Sequence, residues 1–207
     1  MSSAHAKDTS QRDVVALKEA LRDAASNRLK SVIPEDSFKP IEMRSHAMLT
    51  EDDWMVKIIV ESEDLIFTFR VYYPVDDART FALQKPAFKG KKISPFLCHD
   101  FIREYCNLTA GAVKIWLQSN YSALKECGEL VVNLPNQKPA QTEPLAIKED
   151  SEDEVFDVWV YGVGDAQMLC SWNVLVYDWD GVSEMLECTQ TLDDQDDGGE
   201  VEFLLFN

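Results

Sequence analysis

Residues 94–118 read SPFLCHDFIREYCNLTAGAVKIWLQ and form the best-defined predicted helix of the chain. Ser94 and Pro95 are typical of a helix start, because a serine side chain caps free backbone N–H groups and proline has no N–H to leave unpaired. Asn120 follows as a stop signal. The sequence therefore predicts a helix from Pro95 to about Gln118, and the rest of the chain is interpreted outward from it.

At about 100° per residue this helix has one apolar and one polar face. The apolar face, which we expect to pack on a core, consists of Phe101, Ile102, Tyr105, Leu108, Ala112, Val113 and Trp116. The polar face lies within about 40° of a single line and consists of Asp100, Glu104, Asn107, Gly111, Lys114 and Gln118. Such a face is usually the solvated side of an amphipathic helix.

Some residues of the predicted helix are poor helix formers. Asn107, Thr109 and Gly111 belong to this group, and a glycine inside a helix costs about 1 kcal/mol relative to alanine. Residues that disfavour the secondary structure in which they lie are often found at functional sites. Gly111 lies one turn beyond Asn107, and its missing side chain would let another surface approach. We therefore predict a shallow docking face that carries one carboxylate, Glu104, and one carboxamide, Asn107.

The chain as a whole is strongly acidic. Its 207 residues include 37 Asp and Glu against 20 Lys and Arg, for a formal net charge of −17, and 45% of them are hydrophobic. This composition is typical of a globular protein, and we predict a flexible tail at 1–11 before a single domain at 12–207. Negative charge repels phosphate backbones and anionic lipid, so we expect no nucleic-acid or membrane partner. The chain has neither an apolar run of 18 residues nor a secretory signal, which predicts a cytoplasmic protein.

Cysteine and histidine usage predicts reduced thiols and no metal site. The five cysteines include no C-x-x-C pair, and the three histidines lie far apart in the sequence. Zinc sites of ordinary spacing require closer ligands. The acidic tract 193–200 is only faintly similar to a calcium loop, since the required spacing and flanking helices are missing.

Outside the central helix the pattern indicates short strands and a few helices. Predicted helices span 13–34 and 74–83, and a basic loop follows at 85–92. The predicted strands span 41–48, 54–60, 65–73, 129–134, 156–161, 168–178 and 201–206. This order predicts an α+β fold, an antiparallel sheet with helices packed on one face.

Two acidic segments are interpreted as loops. Residues 136–154 contain two prolines and the run at 149–154, and we predict a long loop that is solvated rather than a binding segment. The tract 193–200 is interpreted as a hairpin loop that leads into a C-terminal strand. The five tryptophans, by contrast, lie mostly at apolar positions and are predicted to pack in the core.

The polar face of the central helix carries a recognisable spacing. The pattern D-x-x-x-E-x-x-N at 100–107, continued by LTAG at 108–111, resembles the active-site helix of the CheC/CheX/FliY phosphatases of bacterial chemotaxis. The continuation is most similar to the CheX branch. The resemblance covers about residues 12–190, its specific part is 90–118, and it implies a CheC/CheX-like fold.

The resemblance implies hydrolysis of the aspartyl phosphate on a CheY-like response-regulator receiver domain. Asn107 would orient the attacking water, since a carboxamide both donates and accepts hydrogen bonds. Glu104 would pair with the receiver's lysine through a charge-assisted bond. Asp100, Gly111 and Lys114 would support docking. Mg²⁺ would be held by the receiver, and the chain would need no cofactor or metal of its own.

The sequence also departs from the family pattern. Pro135 lies 28 residues beyond Asn107, later than the family proline, and the acidic segments are additional. Residues 12–34 contain one asparagine, Asn27, and Ala24 stands three positions before it, so this helix carries no second E-x-x-N site. One site per subunit is the CheX pattern, which also implies a homodimer.

Two other functions stay open. A non-catalytic interaction module on the same fold would bind a receiver or another partner without hydrolysis, and the acidic segments would then serve recognition or block the site. An unrelated acidic binding protein, such as a chaperone of secreted proteins, would match the helix by coincidence. The basic loop 85–92 would either be solvated or contact an acidic receiver surface. On the helical wheel Cys106 lies between the polar line and the centre of the apolar face. Neither Cys106 nor His99, beside the motif, is given a chemical role.

Overall fold

The computed structural model describes residues 3–41, 50–121, 130–145, 150–151 and 153–193. Within these ranges the helices are α1 Ser3–Val32, α2 Val75–Ala82, α3 Pro95–Tyr121 and α4 Trp179–Asp193. The strands are β1 Lys39–Ile41, β2 Trp54–Glu61, β3 Leu65–Tyr73, β4 Val131–Val132, β5 Asn136–Pro139, β6 Glu154–Val163 and β7 Ala166–Val176.

The strands form one antiparallel sheet in the order β1-β6-β7-β3-β2, and both β4 and β5 pair with the outer edge of β2. Two hairpins, β2–β3 and β6–β7, build its centre. The β6–β7 hairpin turns through Gly164 and Asp165, and Gly164 has a φ of +59°. A positive φ at the first turn residue suits the right-handed twist of a two-residue hairpin. The predicted fold class, α+β with an antiparallel sheet, is confirmed.

The main core lies between the sheet and the helices. Alternate residues of β3 point to this side, among them Phe67, Phe69 and Val71, all at most 1% exposed. Helix α3 packs against α1, α2 and β2, and Tyr105 donates a hydrogen bond to the carbonyl of Ala25 in α1 at 3.3 Å. These contacts place α3 in the helical layer with its other face outward.

The opposite face of the sheet carries a smaller apolar cluster. It consists of Met55, Tyr72, Ala140, Val160 and Leu169. A single helical turn at 140–142 covers part of it, and Ala140 donates its backbone N–H to the carbonyl of Asp53 at 2.8 Å. Helices α1 to α4 all contribute to the main core on the other face of the sheet, as the predicted architecture requires.

Four predictions need correction. We predicted a helix from residue 13 after a flexible tail at 1–11, but α1 already begins at Ser3, since extending a formed helix gains one hydrogen bond per residue. Residues 136–154 are not one loop, because 136–139 pair with the open edge of β2. The strand predicted at 129–134 shortens to Val131–Val132. Of the strand predicted at 41–48, only Ile41, in β1, is described. The strand predicted at 201–206 and the acidic tract from 194 lie outside the described residues.

The fourth correction is α4, which the sequence interpretation missed. The Asp178 carboxylate accepts the backbone N–H groups of Asp180 and Gly181 at 3.1 and 3.3 Å, as an N-cap residue does. Val182, Met185 and Leu186 follow at helical spacing and are buried. The cap and the spacing were visible in the sequence, but no element was predicted between the strand at 168–178 and the acidic tract 193–200.

Candidate active site

Helix α3 begins as predicted and buries the expected face. The backbone N–H of Leu97 points to the Ser94 hydroxyl at 3.4 Å, which is the capping contact. Phe101, Ile102, Tyr105 and Val113 are at most 2% exposed, whereas Leu108, Ala112 and Trp116 are half-buried. The packed face fixes the rotation of the helix and therefore the direction of its polar face.

Two polar residues beside the motif are fully buried. Cys106 is 0% exposed, and burial raises the pKa of its thiol well above the usual range, with a smaller contribution from Cys170. Such a thiol is not a nucleophile. Cys106 lies in the core, whereas the wheel placed it between core and solvent. Thr109 is also 0% exposed, and its hydroxyl finds no partner in the described part of the chain.

The predicted site residues share the outward face of α3. Asp100, Glu104 and Asn107 are exposed, while Gly111 and Lys114 are half-buried. Residues three and four apart on a helix have Cβ atoms about 5–6 Å apart. The face therefore presents a carboxylate and a carboxamide side by side.

The carboxylate of Glu104 is already paired within the chain. Lys85 Nζ, from the loop after α2, lies 2.7 Å from Glu104 Oε2. The same ammonium lies 5.9 Å from the ring centroids of Phe88 and Phe101. The lysine side chain is 20% exposed and that of Glu104 is 49% exposed. Lys85 therefore holds one end of the Glu104 carboxylate while the rest faces solvent.

Asn107 is exposed, and no hydrogen bond joins its amide to another residue in the part of the chain that the structure describes. One turn further along, a Cβ built on Gly111 would meet no atom of the described residues within 4 Å. The glycine is thus not required by packing inside the molecule. An unpaired amide beside an open, low surface can bind a water or a group on a partner.

Asp100 belongs to a neighbouring ion pair. Arg103 Nη2 lies 2.9 Å from Asp100 Oδ1, one turn apart on α3. The Arg103 guanidinium also lies 5.6 Å from the ring centroid of Phe96, a phenylalanine that is 65% exposed. The sequence interpretation did not single out Arg103 or Phe96. The sequence feature that could have indicated both residues is Phe96, an aromatic residue at the start of an otherwise polar helix face.

His99 turns away from this face. Its Nδ1 lies 3.0 Å from the Tyr73 hydroxyl, and its ring centroid lies 4.8 Å from that of Trp54. Partial burial lowers the pKa of His99, and the charge of Arg103 adds to this effect. The histidine therefore joins α3 to the sheet.

A second polar cluster, which we call the Glu143 cluster, lies on the opposite face of the sheet. Glu143 accepts hydrogen bonds from Lys57, Arg70 and Lys138 at 2.7–2.8 Å. Burial raises the pKa of Glu143, but the three donors outweigh it and lower the pKa to about 2. The cluster was missed because Glu143 lies in the predicted loop. Its signal was the cross-strand pair of two cations, Lys57 opposite Arg70, which calls for an anion.

Several further features bear on function. In the described ranges no three His, Cys, Asp or Glu side chains are grouped to hold a metal ion. Nor does any helix of the described part combine the length and apolarity that a membrane crossing needs. Trp159 and Trp172 are buried, and Trp54, Trp116 and Trp179 pack against the core, as predicted.

The sheet, its helical layer and the outward polar face of α3 define an α+β protein with a candidate site on one helix. No protein-family model matches the sequence, and no curated protein matches it. Solved structures of chemotaxis proteins do match the fold. The protein has a CheC/CheX-like fold, which confirms the predicted resemblance at the level of structure.

Three solved structures illustrate the likeness. CheX in a CheX–CheY–BeF₃–Mg²⁺ complex from Borrelia burgdorferi is 11% identical with a TM-score of 0.52, over 77% of this chain and 97% of that one. CheX from Vibrio vulnificus is 12% identical with a TM-score of 0.51, over 75% and 96%. A CheC-like superfamily protein from Shewanella sp. PV-4 is 13% identical with a TM-score of 0.52, over 78% and 97%.

Proposed function

We propose that this protein is a CheX-like phosphatase that hydrolyses the aspartyl phosphate of a response-regulator receiver domain. Water attacks phosphorus, the bond from phosphorus to the aspartyl oxygen breaks, and the products are the free carboxylate, inorganic phosphate and a proton released to solvent. An acyl phosphate is already activated, so the phosphatase must chiefly position water and stabilise charge.

The observation that carries this proposal is the pair Glu104 and Asn107 on the exposed face of α3. The pair lies on a rigid, packed helix within a CheC/CheX-like fold. Asn107 has a free amide that can donate to the phosphoryl group and accept from water. No nucleophile or general base is required, which agrees with the buried thiol of Cys106 and the inward position of His99.

Each predicted site residue has a role in this proposal. Glu104 pairs with a cation of the receiver and sets the register of docking. Gly111 leaves room for the partner's backbone, and Asp100 and Lys114 contact it on either side. Mg²⁺ is held by the receiver, as the name of the CheX–CheY–BeF₃–Mg²⁺ complex suggests for that protein's partner. The predicted homodimer, the cytoplasmic location and the role in chemotaxis or another two-component pathway stay part of the proposal.

The pairing of Glu104 with Lys85 favours a second candidate function. A carboxylate that is already paired in the free protein is less available to a cation on a partner. A module that binds the receiver without hydrolysis would tolerate this pairing. The two candidates differ in whether the Asn107 amide is needed.

The deciding experiment measures phosphate release from a panel of phosphorylated receiver domains with Asn107→Ala and the control Gln118→Ala. Both substitutions remove an exposed carboxamide from the same face of α3, and alanine is a better helix former than either residue. We expect Asn107→Ala to lower the rate about 100-fold, the cost of losing one positioned polar group, and Gln118→Ala to leave it unchanged. Unchanged hydrolysis by Asn107→Ala would refute the proposed mechanism, and binding without hydrolysis by the wild type would establish the second candidate.

A further inference from the structure

The positive charge of this acidic protein is concentrated beside the candidate site. Residues 85–92, KPAFKGKK, hold four of the chain's 20 Lys and Arg residues and no Asp or Glu. The protein carries a formal net charge of −17, so a stretch of this kind stands out from its surroundings. We call residues 85–92 the lysine turn.

The lysine turn has a defined backbone. The N–H of Lys85 donates to the carbonyl of Ala82 at 3.0 Å, which ties the turn to the end of α2. A single helical turn follows at 86–88, and Gly90 has a φ of +73°. Glycine adopts a positive φ at little cost, so the turn can reverse direction here. These backbone bonds fix the positions from which the lysine side chains extend.

The lysines at the far end of the turn form no ion pair with another described residue. Lys89, Lys91 and Lys92 are exposed, and no carboxylate of the described residues lies within ion-pair distance of them. Nine other Lys and Arg side chains of the described residues form ion pairs, as Arg22 does with Asp157 at 2.6 Å. In a chain with many acids to choose from, three adjacent unmatched lysines are available to a partner.

The lysine turn is continuous with the polar face of α3. Lys85, its first residue, contacts Glu104 at 2.7 Å. Lys91 and Lys92 line an open groove with Arg79 next to the start of α3. A partner surface that extends from Asn107 to the start of α3 would therefore reach Lys85 and the groove lined by Lys91 and Lys92. The exposed aromatic ring of Phe96 stands at the same end of the helix.

We propose that the lysine turn docks an acidic protein surface, and, resting on the proposed function, that this surface is the rim of the phosphorylated receiver beside its aspartyl phosphate. The lysines attract and orient the receiver, while Glu104 and Asn107 engage its site. Exposed carboxylates at Asp100 and Glu104 would repel a nucleic-acid backbone at the same place. An acidic protein surface with its own cations is compatible with both signs of charge.

The test compares two double variants that remove the same charge. Lys91→Gln with Lys92→Gln changes the lysine turn, and Arg28→Gln with Lys39→Gln removes two cations that also have no ion pair in the described residues. Lys39 lies in β1, at the opposite edge of the sheet from β2. All four side chains lie outside the core, so both variants are expected to fold, which thermal melting checks.

The first arm uses poly-L-glutamate and needs no phosphatase activity. At about 10 mM salt, where electrostatic interactions reach about 30 Å, we expect the wild type to bind it through the lysine turn. The lysine-turn variant should bind about tenfold more weakly, and the control variant should bind like the wild type. No binding by the wild type, equal losses in both variants, or tighter binding to duplex DNA than to poly-L-glutamate would overturn the proposal.

The second arm measures association with receiver domains activated by beryllofluoride. The lysine-turn variant should associate about tenfold more slowly than the control variant at low salt, and the difference should vanish at high salt. Equal association rates would overturn the assignment of the receiver as occupant. Binding of poly-L-glutamate by the wild type without binding of any receiver would refute the proposed function and keep the lysine turn as a docking site for another acidic protein.

Discussion

The two polar clusters on opposite sides of the sheet differ in how completely their side chains are paired. The Glu143 cluster is partly buried, and its carboxylate accepts bonds from three cations. The polar face of α3 is exposed, and its Asn107 amide has no partner among the described residues. Paired, partly buried charges hold chain segments together. An unpaired amide on a rigid helix is instead available for recognition, so pairing distinguishes a structural cluster from a candidate site.

The largest change in stability is expected at the Glu143 cluster. Glu143→Gln removes the charge that three partly buried cations share, and we expect a loss of about 2–3 kcal/mol in the free energy of unfolding. Chemical denaturation measures this loss. The control Glu35→Gln breaks an exposed pair with Lys30 and should cost less than about 1 kcal/mol. Equal losses of stability in the two variants would show that the Glu143 cluster contributes no more than an exposed ion pair does.

The pH dependence of stability should come from the same carboxylate. The folded protein lowers the pKa of Glu143 from 4.5 to about 2, so the folded state binds this proton more weakly than the unfolded state. The stabilisation is complete above about pH 4.5 and is lost as the pH falls towards 2. As the pH falls from 4.5 to 2, the free energies of unfolding of the wild type and of Glu143→Gln, measured by denaturation, should converge. A constant difference between these two free energies across this range would show that Glu143 is not the cause of the pH dependence.

Substitutions at Gly111 test the stability of α3 and its recognition of a partner separately. A Cβ at this position would meet no atom of the described residues within 4 Å, so Gly111→Ala should stabilise the helix by about 0.5–1 kcal/mol. Gly111→Leu should fold equally well but weaken receiver binding, because its side chain occupies the space of the partner. Melting temperature and binding affinity are the two measurements. A stable Gly111→Leu protein with unchanged affinity would show that the partner does not approach there.

The smallest effect is expected at Lys85. A partly exposed ion pair contributes less than about 1 kcal/mol to stability, so Lys85→Met should change unfolding little. It frees the Glu104 carboxylate for the partner and should lower KM for the phosphorylated receiver about threefold. The value of kcat should stay within about twofold of wild type. Lys89→Met, on the same turn, is the control for charge alone. A large loss of kcat would instead give Lys85 a direct part in the reaction.

Periodicity predicted the elements that pack through regular faces. The hairpin strands β2 and β3 and helix α3 appear within a few residues of their predicted bounds. Strand β5, which has no regular apolar pattern, was missed. Strand β5 has the sequence NQKP and forms only because the edge of β2 accepts it.

In the candidate site, too, local periodicity predicted some features and tertiary packing decided others. A helical wheel at 100° per residue suffices to place Glu104 and Asn107 on one face, and the exposed position of both agrees. The wheel left Cys106 between core and solvent, whereas packing against neighbouring elements buries it completely. The pairing of Glu104 with Lys85 joins residues 19 positions apart and required the turn after α2.

By itself the sequence determined the α+β class, the central helix and the spacing of its motif, because these depend on local periodicity and on capping residues close in the chain. Tertiary structure alone decided which polar side chains are paired. The three cations around Glu143 come from the three strands β2, β3 and β5, up to 86 residues away in the sequence, and no local pattern encodes that meeting. Pairing depends on distances across the fold, and it separates the saturated structural cluster from the open face that we propose as the active site.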